Sequence, residues 1–96
     1  MKQVLATDQA PAAIGPYSQG IAASETVYVS GQLPLDPATG TFPEGIAAQT
    51  AQSLKNIQAI LAQQGMTLAN VVKTTVFLAD INDFAEMNKV YGEFFT

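Results

Sequence analysis

The chain has 96 residues, 48% of them hydrophobic and only 12% charged, with a net charge of −4. That length allows one small domain over residues 1–96, and an acidic balance with four lysines and no arginine excludes a partner held through a nucleic-acid backbone. With no cysteine to form a disulfide, association with further copies is the remaining way for so small and charge-poor a chain to bury more apolar surface.

Residues 2–6 can form a short strand. The N-terminus reaches Asp8 before any apolar run develops, so it does not read as a signal peptide. No later run approaches the length of a membrane span, and the expectation is a soluble, cytoplasmic protein with no membrane partner. Ala10-Pro11-Ala12-Ala13-Ile14-Gly15-Pro16-Tyr17-Ser18-Gln19-Gly20 follows. Proline fixes φ and glycine permits φ > 0, so Gly15-Pro16 commits the backbone to a bend that presents Tyr17 at the mouth of the next strand. Tyr17 is thus either a packing residue in a tight connection or one wall of a ligand site.

Residues 18–23 and 26–30 flank Ser24-Glu25 and read as a β-hairpin. In the second strand Val27 and Val29 face one way, and Thr26, Tyr28 and Ser30 the other. Gly31 ends that strand, and Pro34 and Pro37 prevent its continuation. Asp36-Pro37-Ala38-Thr39-Gly40 carries strong turn chemistry. A helix after Pro43-Glu44-Gly45 is predicted to bury Ala47, Ala51, Leu54, Ile57 (or Gln58) and Leu61. Gln49, Gln52, Lys55, Asn56 and Gln63 fall on its outer side, and Gly65 is its C-terminal cap, with Met66 folding back. Residues 71–78 alternate and are rich in β-branched side chains, which predicts a strand. Asp80, Asn82 and Asp83 supply capping and negative charge for a second helix with the stripe Phe84, Met87, Tyr91, Phe94 and Phe95. The order is β, β, β, α, β, α. A helix lies between strands 26–30 and 71–78, so those two can be parallel, which gives an α+β mixed sheet with both helices on one face.

The chain contains no histidine, cysteine or arginine. Cys/His and Ser/His nucleophilic sites, zinc sites of the usual ligands and a guanidinium clamp are therefore excluded. No phosphate loop or dinucleotide fingerprint is present. Four polar positions remain. Tyr17 sits on its bend, and Ser30 sits at a strand end before Gly31, where a backbone amide is free to meet a ligand. Asn88 lies on the edge of an apolar stripe, where a carboxamide needs partners or a wet cleft. Lys73 reads as a residue of a solvated sheet face.

The 10–20 stretch, Ser30-Gly31-Gln32-Leu33-Pro34, and Asp80-Ile81-Asn82-Asp83-Phe84 through Asn88 to Tyr91 together resemble the RidA family of reactive-intermediate deaminases, over essentially the whole chain. The resemblance implies a chorismate-mutase-like α+β fold of the bacillary type and a homotrimer with three sites in the clefts between subunits. It implies hydrolysis of reactive 2-enamino or 2-imino acids, such as 2-aminoacrylate and 2-aminocrotonate, to 2-oxo acids and ammonia. These intermediates are shed by pyridoxal-phosphate enzymes such as threonine dehydratase. It implies no cofactor and no metal. Tyr17, Ser30, Gly31 and Asn88 fall on the family's substrate-binding positions.

The family pattern also carries two further strands beyond the position of Thr96. One brings an arginine that grips the substrate carboxylate, and the other a glutamate that positions water. The last strand belongs beside strands 26–30 and 71–78. The 96 residues therefore read as a fragment of a longer product, with exposed strand edges in mid-sheet and weak or absent deaminase activity expected. A non-catalytic trimeric protein that binds small carboxylates, or acts as a chaperone-like or regulatory partner, is the alternative. RNA cleavage, also attached to the family, fits the acidic charge poorly.

Overall fold

The computed structural model describes residues 2–96. Three strands, β1 (Lys2–Leu5), β2 (Gly20–Ala23) and β3 (Thr26–Val29), precede helix α1 (Ile46–Ala62) and helix α2 (Phe84–Phe94), with short 3-10 turns at Leu68–Asn70 and Ile81–Asp83. The strands form one antiparallel sheet in the order β1-β2-β3. Leu5 pairs with Gly20 across the first ladder and Gly20 with Val29 across the second. The hairpin closes through Ser24-Glu25 as the sequence predicts. Ser24 carries the positive φ, 54°, that a two-residue hairpin turn demands at its first central position.

The core lies between the sheet and α1. Leu5, Ala10, Ala22 and Ile60 are buried together, with Val27, Val29 and Ala59 packed against them. Burial alternates along β3 as expected, the valines inward and Thr26 and Tyr28 exposed. α1 ends in the predicted glycine cap. Gly65 has φ 69°, Met66 N–H donates to Leu61 C=O, and Gly65 N–H donates to Ala62 C=O, the paired bonds of a Schellman motif. The turn at Asp36 also forms, with Gly40 N–H donating 2.8 Å to Asp36 C=O and Ala38 N–H 2.9 Å to Asp36 Oδ1. α2 packs on α1 and α1 on β3.

Three expectations need correction. Residues 71–78 form no strand and belong to no ladder among the described residues, so the sheet is antiparallel rather than mixed. Alternation and β-branching make a segment fit for a ladder, but the ladder itself needs a neighbouring strand. β3 pairs with β2 on one side only, and the side chains of Val72 and Phe77 stand 99% and 91% exposed. These two open edges are the ones that the resemblance puts beside a further strand.

Asn56 is fully buried rather than on the outer side of α1. Its carboxamide nitrogen donates to the carbonyls of Leu33 and Leu35, and its oxygen accepts from Gln52 Nε2. A loop with backbone carbonyls turned inward requires such a donor, and helical periodicity carries no information about it. Ile60, absent from the predicted stripe, is a principal core side chain of α1.

Candidate functional site

β2 and β3 run on toward each other beyond their last paired residues. Gly20 faces Val29, and one step outward Ser30 N–H donates 3.0 Å to Gln19 C=O. Ser30 Oγ then donates 2.5 Å to Ser18 C=O. The two bonds hold the strand end at Ser30-Gly31 against the segment that carries Tyr17. Gly31 is exposed, and a Cβ added there would meet nothing within 4 Å, so its backbone is open to a ligand.

Tyr17 sits on the bend that Gly15-Pro16 predicts. Gly15 has φ 112°, and Tyr17 N–H donates 2.9 Å to Gly15 C=O. The phenol oxygen accepts only a long bond, 3.4 Å, from Ile14 N–H, and the residue is 52% exposed. Tyr17 is therefore not a core residue, and about half of its surface is open.

The sequence reading missed what steadies this loop. Gln19 is 4% exposed, and its side chain spans the neck of the loop. Oε1 accepts from Thr7 N–H at 2.7 Å, while Nε2 donates to the carbonyls of Pro11 at 2.6 Å, Thr7 at 3.0 Å and Ala10 at 3.3 Å. These partners lie eight to twelve residues away in sequence, which no local spacing rule detects.

The structure thus brings Ser30 and Gly31 to the chain segment next to Tyr17, through the bonds of Ser30 to Ser18 and Gln19. Asn88 is exposed on α2 and has no hydrogen bond to that group among the described residues. Lys73 is exposed on the unpaired segment, in keeping with a solvated residue. Two shallow clefts lie elsewhere, at the C-terminal end of α2. One of about 330 Å³ is lined by Leu68, Ala69, Val71, Phe94, Phe95 and Thr96. The other, of about 240 Å³, lies between residues 71–74 and the Tyr91 and Phe95 rings, which stack at 4.7 Å. Of the candidate positions only Lys73 lines either cleft, the second one, and both are bordered by the open segment. Among the described residues no group of three or more acidic, histidine or cysteine side chains is placed to hold a metal ion. Among the described residues no helix is long and apolar enough to cross a membrane.

Residues 7–96 match the family model described as Endoribonuclease L-PSP. The 2-iminobutanoate/2-iminopropanoate deaminase of Salmonella typhimurium is 50% identical over 96 residues, covering 100% of this chain and 75% of the relative. Crystal structures of RidA from the Antarctic bacterium Psychrobacter and of Escherichia coli TdcF with bound serine superpose with TM-scores of 0.93 and 0.94. Their identities are 46% and 43%, over 98% and 97% of this chain and 76% and 73% of theirs. The chain therefore spans about three quarters of the length of these relatives. With a family model matched over residues 7–96 and relatives 43–50% identical over nearly the whole of it, the chain belongs to the RidA family.

Proposed function

We propose that the chain acts in the hydrolytic deamination of 2-imino and 2-enamino acids, and that Tyr17, Ser30, Gly31 and Asn88 bind the substrate. The carrying observation is the junction at Ser30. Two hydrogen bonds fix a strand end with an open glycine backbone against the segment that follows the half-exposed Tyr17. In the reaction, water adds to C2 of the imine, and the resulting carbinolamine expels ammonia to leave the 2-oxo acid. That chemistry asks for an oriented imine nitrogen and a held water, which hydroxyls, a carboxamide and main-chain amides supply without a metal or cofactor.

Asn88 lies on a different layer from the junction, so one chain does not close the site. We propose that Asn88 of one subunit meets Tyr17 of a neighbour in a homotrimer. The exposed apolar side chains support association: Ile14 at 85%, Leu33 at 65% and Phe77 at 91% are far more open than a monomer of this size needs.

The test is release of 2-oxobutanoate from 2-iminobutanoate generated in situ by threonine dehydratase. No arginine among these 96 residues holds the carboxylate, so the expected result is a weak acceleration over spontaneous hydrolysis, well below the rate of the Salmonella relative assayed alongside. Absence of acceleration, with no binding of 2-oxobutanoate, would overturn the proposal. Binding without acceleration would favour the second reading, a non-catalytic binder of small carboxylates, which the serine-bound TdcF structure supports.

A further inference from the structure

We infer that Gln19 is the positioning residue of this site, setting Tyr17 against Ser30-Gly31 without touching substrate; the inference rests on the reading of the junction as a substrate site. Tyr17 has no long-range hydrogen bond of its own among the described residues. Its amide and hydroxyl bond only to Gly15 and Ile14, inside the same bend. The position of the ring therefore follows from the position of the loop.

Gln19 fixes that loop from both directions. Its carboxamide gathers the backbone of Thr7, Ala10 and Pro11 at the loop entrance, and its own main chain is the loop exit. The carbonyl of the same residue accepts the Ser30 amide, and its neighbour Ser18 accepts the Ser30 hydroxyl. One residue thus joins the loop entrance, the segment next to Tyr17 and the strand end that presents Gly31. Three carbonyls converge on Nε2 and one amide on Oε1, so the arrangement needs a donor and an acceptor on one planar group. A glutamate would turn acceptor oxygens toward three carbonyls, and an alanine would leave buried polar backbone unpaired. Small displacements of positioning groups are costly in such sites, because a shift of about 1 Å can lower turnover by about 100-fold.

The experiment compares Gln19→Ala and Gln19→Glu with Leu54→Ala, which truncates a buried side chain of α1 away from the junction. Each is studied at a temperature where it is fully folded. Affinity for 2-oxobutanoate is measured by calorimetry, and protection of the Thr7 and Ser30 amides by hydrogen exchange. Both Gln19 variants are expected to bind at least tenfold more weakly and to lose more than tenfold protection at Thr7 and Ser30. Leu54→Ala should lower the unfolding midpoint and leave the affinity unchanged. Retained affinity in both Gln19 variants would overturn the inference, as would lost affinity with intact protection, or an equal loss of affinity in Leu54→Ala. A parent chain that binds no 2-oxobutanoate counts against the functional reading alone, and the exchange protection then decides whether Gln19 holds the loop.

Discussion

Gly20 of β2 sits against Ile60 of α1. A Cβ built on it would lie 2.8 Å from Ile60 Cγ2 and 3.3 Å from the Tyr28 carbonyl. Ile60 is fully buried and β-branched, so it has little room to retreat. Gly20→Ala should therefore lower stability by about 1–3 kcal/mol through overpacking, measured as a lower urea midpoint. An unchanged midpoint would mean that β2 and α1 are less closely packed. At the neighbouring junction, Ser30→Ala removes the bond to Ser18. It should lower stability by about 1 kcal/mol, read as a lower urea midpoint, and reduce kcat/KM for 2-iminobutanoate by about tenfold through the loosened strand end. What could be read at this scale from sequence was steric. Gly15-Pro16 demands a bend and Ser30-Gly31 ends a strand, and both requirements are local. Gln19 and Asn56 were not legible, because each satisfies carbonyls from a loop eight or more residues away. A polar side chain on a helix or beside a strand gives no sign of which distant backbone groups it will meet.

At the scale of elements, the hairpin, the Asp36 turn and the capped α1 follow from rules that act within a few residues, and the structure contains them. The segment 71–78 shows the boundary of such rules. Its β-branched alternation is real, yet a strand exists only with a partner, and Val72, Val76 and Phe77 are left exposed. A hydrogen bond between the Thr74 hydroxyl and the Tyr91 phenol ties it to α2. The amides of residues 72–77 should therefore exchange in dilute solution nearly as fast as in an unstructured peptide, while those of β2 and the middle of α1 are protected. Strong protection of 72–77 in the monomer would show that the segment has found a ladder after all.

The whole molecule combines few charges with a broad apolar exterior, and the candidate residues are divided between the sheet end and α2. Composition alone pointed to association, but how copies would meet was not legible, since it depends on which exposed faces are complementary. A homotrimer should sediment at about three times the 10.1 kDa chain mass, and Phe77→Asp should shift it toward monomer if that exposed face contributes. The most direct test of a deaminase site shared between subunits is complementation. Tyr17→Ala and Asn88→Ala chains are unfolded together, refolded as a mixture, and assayed for 2-oxobutanoate release. If Tyr17 and Asn88 come from different subunits, each variant alone is inactive. The mixture then regains roughly a quarter of the parental activity, the share of interfaces that random mixing leaves intact. A mixture no more active than either variant alone would contradict it.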